Sequence, residues 1–474
     1  MKITLEKLPG IHHLQNPDVF FFTSLFFYSV DNVVNYFVDA PVFVASTLVL
    51  LPLMWIALAT KSKPPVFLVS FTAVFLVASI VGNLVYDFHK SSISDLVFIL
   101  FFATSWFYYR AFHSRMRVKT AHVFLVVSLL MFGFAFFGIN SQSLHTNDRN
   151  LKNLELVGVS FDSLVSQGEP IDEFKKKIPE NMDADSLVRE KLRTFFPDRP
   201  EIDTMKNIGV GMVPGIKIEK EALDKVEQER TYNYGLFRVP HVPAYFFGFL
   251  LLFYLSLFKY RRKAWYLAMV AALLFLILYN GVRTFVVAAL LSAMLWFFLK
   301  RNIWYFVAFM AIIAGMIVFR NIIFELTQGT IFQPLSSLLI TVVDNPDRLS
   351  RIALFRSWFN ELQTFNWYDF IFGKNFYLSK LANLKNLFTP TWYHNDLLSV
   401  IFSYGVIAAV FYIFLFIQIF REHAGLIRNH ALLFVFYFSM ILTAMFNGFY
   451  YYFPLFLLYI YWLMVVNIKK QTAE

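Results

Sequence analysis

Long apolar runs recur along the chain, and they constrain its fold more than any other feature. Several approach the roughly 20 residues that an α-helix needs to cross the hydrocarbon core of a bilayer. Of 474 residues, 58% are hydrophobic and only 16% are charged, whereas soluble domains carry about 25% charged residues. The sequence therefore predicts an all-α polytopic membrane protein.

The apolar runs predict about twelve transmembrane helices. They are expected over residues 18–38, 40–59, 66–85, 94–109, 120–138, 241–258, 264–281, 284–299, 303–319, 396–418, 431–447 and 451–467. The first run is expected to be a signal anchor, because the N-terminal region shows no short apolar core followed by a small-residue cleavage site.

Lysine and arginine residues collect in alternate short loops. With the N-terminus inside, the cytoplasmic loops hold Lys61 and Lys63; Arg110, Arg115, Arg117 and Lys119; Lys259, Arg261, Arg262 and Lys263; Lys300 and Arg301; Arg421 and Arg428; and Lys469 and Lys470. The opposite short loops hold only Lys90 and Arg283. Because basic residues favour the cytoplasmic side, both termini are predicted to be cytoplasmic. This asymmetry accounts for the net charge of +10 without a nucleic-acid partner.

This topology divides the chain into five parts. Transmembrane helices are predicted over 1–138, 239–319 and 396–474, and two long loops, 139–238 and 320–395, then lie on the outer face. A loop as long as the first usually forms a small lid or docking subdomain. The second loop carries most of the candidate site residues.

The candidate functional residues all fall on the predicted outer face. Arg283 lies at the outer end of a span, and His394-Asn395-Asp396 stands at the start of another. Arg348, Arg351 and Arg356 lie between them, in the second loop. The chain has no cysteine, which excludes disulfides, thiolate catalysis and Cys-ligated metals.

The three loop arginines share one side of a predicted helix. At 100° per residue, segment 346–362 has an apolar arc that also holds these arginines. The apolar members are Leu349, Ile352, Phe355, Phe359 and Leu362. An arginine on a buried face needs an anionic partner, which would be a ligand diphosphate, a lipid head group or a structural carboxylate.

These residue types suit chemistry on a lipid diphosphate. The planar fork of arginine makes bidentate hydrogen bonds to phosphate oxygens and stabilises a departing diphosphate, so no general acid is required. The incoming hydroxyl does require a base. His394, with a pKa near neutrality, suits that role, and Asp396 would orient or replace it.

Each candidate also has a simpler explanation. An arginine at a span end, such as Arg283, often snorkels to the membrane interface. An interfacial histidine such as His394 is often structural, and the loop arginines would also suit anionic head groups. Residues 344–347 read Asp-Asn-Pro-Asp, which fits either a divalent metal or a helix start. Aromatic residues at 392–393 and 450–452 are expected in an interfacial belt.

Several of these residues belong to motifs that resemble a known family. Four segments resemble the core of the O-antigen polymerase and O-antigen ligase superfamily. They are Ser350-Arg351-Ile352-Ala353-Leu354-Phe355, Phe370-Ile371-Phe372-Gly373, Tyr393-His394-Asn395-Asp396-Leu397-Leu398 and Ser403-Tyr404-Gly405-Val406-Ile407. Arg283 resembles the family's earlier arginine at a span end. The resemblance covers about residues 280–410. The chain departs at Lys374, where many members have a second glycine, and at Phe355, where tryptophan is common.

The resemblance implies a metal-independent, multi-span glycosyltransferase without a cofactor. It implies an undecaprenyl-diphosphate-linked glycan as donor, a bacterial inner membrane and a periplasmic active site in the catalytic loop 320–395. By position, His394 would be the base, and Arg283 and Arg351 would bind the diphosphate. Arg348 and Arg356 are also predicted to bind the diphosphate, because they lie in the helical arc. Asn395 and Asp396 would support the base.

The sequence thus predicts an O-antigen polymerase that joins lipid-linked repeat units by inverting glycosyl transfer. The loop 139–238 would cover the acceptor or contact a chain-length regulator. One alternative is the O-antigen ligase, which moves the glycan to lipid A core with the same donor chemistry. An alternative of another class is a lipid-linked sugar flippase, although a transporter should place polar residues near mid-membrane in broken spans.

Overall fold

The computed structural model describes residues 15–16, 19, 24, 42–61, 63–86, 90–112, 241–280, 282–301, 303–330, 332–344, 350–387, 392–450, 456 and 459. The predicted span 120–138 and the loop 139–238 lie outside these residues, as do nearly all of 18–38 and 451–467.

The described residues are helical apart from short turns. The helices are α1 (Val42–Lys61), α2 (Val66–Val85), α3 (Lys90–Phe112), α4 (His241–Arg261), α5 (Ala264–Asn280), α6 (Thr284–Leu299), α7 (Ile303–Val318), α8 (Arg320–Thr327), α9 (Gln333–Asp344), α10 (Ser350–Leu362), α11 (Trp367–Phe372), α12 (Phe376–Leu387), α13 (Asp396–Asn429) and α14 (Ala431–Phe446). This part of the chain contains no β-strand.

The predicted spans that fall within the described residues are helical, so the all-α class is confirmed there, but the single span predicted over 396–418 is wrong because the helix is interrupted at Gly405. Three helices are long and apolar enough to cross a membrane, namely Val66–Val85, Ser92–Phe112 and Asp396–Asn429. The pair α7 and α8, bent by 74°, would add a fourth if the two formed one span. The predicted number of twelve spans stays a prediction.

The second predicted loop is largely helical. Helices α8 to α12 occupy most of residues 320–387. Many of its backbone groups therefore bond within helices. This segment positions the candidate site, because α11 and α12 contact α13 and Trp358 of α10 donates to the Leu398 carbonyl of α13.

Basic residues at the ends of α3, α4 and α6 lie at one end of the helix bundle, which we call the basic end. Arg110 of α3 pairs with Glu422 of α13 at 3.4 Å, so these two helices end together. Burial, and then the charge of Lys259 at the end of α4, lower the pKa of His430 between α13 and α14. We call the other end, where α4 and α6 begin and α14 stops, the distal end.

Helix α6 runs antiparallel to α14. The Ser439 hydroxyl donates to the Ser292 hydroxyl at 3.3 Å, and the rings of Trp296 and Phe434 lie 5.0 Å apart. Because the residue numbers fall on one helix as they rise on the other, the N-terminus of α6 lies beside the C-terminus of α14. Helix α4 contacts both, with the ring of Phe249 4.2 Å from that of Phe436.

Helix α13 reverses its direction at Gly405. This glycine has φ 82° and ψ 175°, a conformation that essentially only glycine adopts. In a straight helix the Cα atoms of Asp396 and Tyr412 would lie about 24 Å apart. The Tyr412 hydroxyl nevertheless donates to the Asp396 carboxylate at 2.5 Å, and two such side chains do not bridge 24 Å. Residues 396–404 therefore fold back against the rest of the helix, and we call them the folded-back arm.

Candidate functional site

The folded-back arm begins at the predicted catalytic tripeptide. Asn395 is the N-cap of α13, and its side-chain oxygen accepts from the Leu398 amide at 2.9 Å. The side-chain amide of Asn395 donates to the Met445 carbonyl at 2.6 Å, in the last turn of α14. One asparagine therefore starts the arm and ties it to the distal end of the bundle.

His394 occupies a constrained turn just before that cap. Its backbone has φ 51°, a left-handed conformation that non-glycine residues adopt uncommonly and that clusters at functional sites. The side chain is half-buried, and its ring centre lies 4.8 Å from the ring of Trp392. The indole of Trp392 fills the space beside Gly448, where an added Cβ would lie 2.0 Å from a ring carbon. The imidazole is thus held against the loop that follows α14.

Arg283 belongs to the same end of the bundle. It caps the N-terminus of α6 with helical backbone angles, and its side chain is half-buried. In the antiparallel register of α6 and α14, the level of Arg283 corresponds to that of Gly448, beside Trp392 and His394. The structure therefore brings Arg283, His394 and Asn395 to one end of the bundle.

The hydrogen bonds of the Asp396 carboxylate hold the arm in place. Its buried carboxylate accepts from the Phe449 amide at 2.9 and 2.8 Å, from the Tyr450 amide at 3.4 Å and from the Tyr412 hydroxyl at 2.5 Å. A buried carboxylate needs such donors to offset its lost hydration. This geometry assigns Asp396 to positioning the arm rather than to taking a proton from substrate.

A second buried carboxylate, Asp95 of α3, continues this network. It accepts hydrogen bonds of 2.7 Å from the hydroxyls of Tyr404 and Tyr450. Tyr404 ends the folded-back arm, so Asp95 fixes one end of the arm as Asp396 fixes the other. The sequence analysis missed this residue, although an acid inside an otherwise apolar span is a recognisable signal of function.

The tyrosines at the site are not an exposed interfacial belt. Tyr393 and Tyr450 are 1% and 0% exposed, so that expectation is wrong for these two residues. Tyr450 is buried because its hydroxyl donates to Asp95. Burial, and then the charge of Glu361, raise the pKa of Tyr393, so its hydroxyl stays protonated at neutral pH.

The turn at Gly373, in the second predicted loop, packs against the reversal in α13. Gly373 has φ 73°, and a Cβ built on it would lie 2.4 Å from the Tyr404 amide nitrogen. A Cβ on Gly405 would in turn lie 2.1 Å from the Ile371 carbonyl oxygen. The Lys374 amide donates to the Phe402 carbonyl at 2.7 Å, which satisfies one of the carbonyls that the reversal leaves open. The turn at Gly373 thus fits the reversal, even though Lys374 replaces the second glycine of the family pattern.

Helix α11, which precedes the Gly373 turn, bonds to the end of α2. Asn366 and Asp369 form a capping box at its N-terminus, and the Asp369 carboxylate also accepts a hydrogen bond from the Tyr86 hydroxyl. Burial, and then the Asp369 carboxylate, raise the pKa of Tyr86 to about 12. The hydroxyl therefore remains a donor across the physiological range.

The predicted buried face of α10 is wrong. Phe355 and Phe359 are 38% and 56% exposed, whereas Leu354, Ser357 and Trp358 are buried. Hydrogen bonds decide the orientation, because the Ser357 hydroxyl donates to the Asn383 side chain at 2.7 Å and the Trp358 indole donates to the Leu398 carbonyl of the arm at 3.2 Å. Sequence periodicity counted apolar residues and missed these two polar contacts.

This orientation puts positions 351 and 356 on different faces of α10. Arg356 is exposed, so the argument that its charge is buried is wrong. Position 351 precedes Leu354 by three residues and Trp358 by seven, so it shares their face of α10. Arg348 lies outside the described residues. Of the two described positions, 351 therefore keeps a helix position that suits the diphosphate hypothesis and 356 does not, while the role of Arg348 stays a prediction.

In the Asp-Asn-Pro-Asp pattern at residues 344–347, Asp344 forms an ion pair. Asp344 ends α9 and accepts from the Arg320 guanidinium at 2.7, 3.0 and 3.1 Å. This bidentate ion pair occupies both carboxylate oxygens. The other three residues of the pattern lie outside the described part of the chain.

Comparison with protein-family models, with curated protein sequences and with solved structures finds no match to this chain.

Proposed function

We propose that this protein is an O-antigen polymerase of the bacterial inner membrane, which joins undecaprenyl-diphosphate-linked repeat units at the periplasmic face. One observation carries the proposal. His394 heads a short helical arm that folds back at Gly405, and the arm holds this histidine at the same end of the bundle as Arg283.

The rigidity of the arm supports a catalytic role for His394. Hydrogen bonds through Asn395, Asp396 and Tyr404 fix the arm from three sides. A base acts efficiently when its ring is already oriented toward the hydroxyl it deprotonates, because little reorganisation remains for the reaction itself. A histidine serving only as a filler would not need this scaffold.

In the proposed reaction, a hydroxyl oxygen of the acceptor unit attacks the anomeric carbon of the donor glycan. The new C–O bond forms as the bond from that carbon to the phosphate oxygen breaks, with inversion at the carbon. His394 takes the hydroxyl proton, and the bonding electrons leave with the lipid diphosphate. Arg283 and Arg351 would bind the diphosphate as its charge develops, each contributing about 2.7–4 kcal/mol.

A lipid-linked sugar flippase is the second candidate, and one observation favours it. Helix α13 is broken, and the buried carboxylates Asp95 and Asp396 lie at the two ends of the arm that the break creates. Broken helices with buried polar groups are typical of secondary transporters. The ligase reaction uses the same donor chemistry as the polymerase and is the third candidate.

A lipopolysaccharide gel from cells lacking this protein separates the three functions. Loss of a polymerase leaves core capped by a single repeat unit. Loss of a ligase leaves bare core, with polymer still on its lipid carrier. Loss of a flippase leaves bare core and single lipid-linked units retained on the cytoplasmic side. Only the first pattern supports the proposal.

Complementation of the same strain tests the site. At matched membrane levels, His394→Ala should fail to restore the ladder of chain lengths. Arg356→Ala, which changes an exposed arginine on nearby α10, is the matched control and should restore it. A normal ladder with His394→Ala would remove the base assignment.

A further inference from the structure

Helix α7 is apolar on every side and lies at the edge of the bundle. It contacts α6 through the rings of Phe297 and Tyr305, 5.5 Å apart. None of its described residues is buried, and Trp304 and Val318 are 80% and 69% exposed. A helix that is hydrophobic all round is covered by lipid when protein does not cover it. Acyl chains therefore surround most of α7.

The chain turns sharply where α7 reaches the distal end. Helix α7 starts beside Lys300 and Arg301 at the basic end and rises about 24 Å over its 16 residues. Helix α8 then leaves at 74° to it. Because α7 runs along the bundle, α8 lies across the bundle's distal end instead of continuing through the membrane.

Helix α8 carries two different exposed surfaces. Ile322 and Leu326 are 55% and 76% exposed, and Phe319 just before them is 56% exposed. Their spacing puts all three on one stripe. Asn321 and Glu325 are also exposed and lie roughly 100° away on the other side. The apolar stripe continues the lipid-facing surface of α7.

Helices α8 and α9 form a hairpin fixed at both ends. The Arg320–Asp344 ion pair joins the first residue of α8 to the last residue of α9. At the tip, the hydroxyls of Thr327 and Ser336 are 2.6 Å apart and share a hydrogen bond. The Arg320 guanidinium also donates to the Ile317 carbonyl of α7 at 3.1 Å, so the hairpin is tied to the end of α7.

We infer that the α8–α9 hairpin lies in the lipid–water interface at the distal end, with Phe319, Ile322 and Leu326 inserted among the acyl chains. Asn321 and Glu325 face water. An amphipathic helix of this kind binds through its buried apolar area. The partner is the lipid surface of one leaflet, and this inference does not depend on the reaction that the protein catalyses.

The absence of cysteine from the whole chain makes a direct test simple. The full-length protein, with a single Leu326→Cys or Glu325→Cys substitution, is spin-labelled and placed in phosphatidylethanolamine/phosphatidylglycerol nanodiscs. Relaxation by oxygen reports hydrocarbon, and relaxation by a water-soluble nickel chelate reports the aqueous phase. We expect oxygen to dominate at position 326 and nickel to dominate at position 325. Ile322→Cys and Asn321→Cys form a second matched pair should either first variant fail to fold.

Three outcomes would overturn the inference. Strong nickel relaxation at both positions would mean that the hairpin stands in water. Strong oxygen relaxation at both would mean that α7 and α8 form one broken span inside the membrane. Weak relaxation by both reagents at position 326 would mean that protein, such as a second copy of the chain, covers the stripe.

Discussion

Gly405→Ala should destabilise this protein more than most single-methyl substitutions. The backbone at Gly405 has φ 82° and ψ 175°, and holding a residue with a Cβ there costs about 1–3 kcal/mol. The new methyl would also lie 2.1 Å from the Ile371 carbonyl oxygen. Overpacking costs a further 1–3 kcal/mol, roughly, and a backbone oxygen yields less easily than a side chain. The sum of about 2–6 kcal/mol is a large part of a typical folding free energy.

The same helix supplies a matched control. Gly425 lies in the regular part of α13, and a Cβ built on it meets nothing within 4 Å. Gly425→Ala should therefore be neutral or should stabilise the protein by about 0.5–1 kcal/mol, because alanine loses less backbone entropy in a helix.

The measurement is the temperature at which each purified variant loses its monodisperse peak in size-exclusion chromatography. Gly405→Ala should lower that temperature and abolish the ladder of chain lengths in cells, whereas Gly425→Ala should preserve both. Gly373→Ala should cause the same loss, because a Cβ on Gly373 would lie 2.4 Å from the Tyr404 nitrogen and 2.7 Å from the Gly405 nitrogen. A Gly405→Ala protein that melts and functions like the wild type would show that the reversal of α13 is not built as described.

Three further substitutions test other parts of the site. Arg351→Ala should lower kcat by about 10²–10³-fold because a proposed diphosphate ligand is lost, whereas Arg356→Ala should keep the wild-type rate. Equal losses for the two variants in single-turnover assays would reject the division of α10 into two faces. Tyr412→Phe removes a donor to a buried carboxylate and should cost about 1–3 kcal/mol in detergent-titrated unfolding, whereas Tyr305→Phe, at a 61% exposed position, should cost nothing measurable. The pKa of Tyr86 is raised from 10.0 to about 12, so its stabilising contribution is fully present below pH 10 and is lost as pH rises toward 12. Tyr86→Phe should thus lower the melting temperature equally at pH 7 and pH 9, and a difference between these values would contradict the assignment.

The positions of the helices could be predicted from sequence because long apolar runs leave little choice. A membrane helix satisfies its own backbone groups, so each run of sufficient length becomes a helix. The predicted span 66–85 and helix Val66–Val85 agree at both ends, since Pro65 precedes the first helical residue.

The reversal of α13 could not be predicted in the same way. Only Ser399, Ser403 and Tyr404 interrupt the apolar run around Gly405, so hydropathy predicts one continuous span. The reversal depends on contacts from distant segments, namely the turn at Gly373 and the tyrosine hydrogen bonds to Asp95 and Asp396. Such contacts leave no periodic signal in a single sequence.

The orientation of α10 shows the complementary failure. Periodicity favoured the face with the most apolar residues. It therefore predicted that Phe355, Phe359 and Arg356 are buried. The structure instead buries Ser357 and Trp358, because their side chains find hydrogen-bond partners. In a membrane protein, apolar residues are also stable against lipid, so an apolar arc alone does not identify the side that contacts protein.

We propose that His394, held by the folded-back arm, is the base of a glycosyl transfer. The most direct measurement reconstitutes purified wild-type and His394→Ala proteins with a defined undecaprenyl-diphosphate-linked repeat unit and follows joined units and released lipid diphosphate. We predict equal amounts of the two products from the wild type, an inverted anomeric linkage, and a rate about 10²–10⁴-fold lower with His394→Ala. Turnover by His394→Ala at the wild-type rate would contradict the role of His394, and no product from a folded wild-type protein would contradict the polymerase itself.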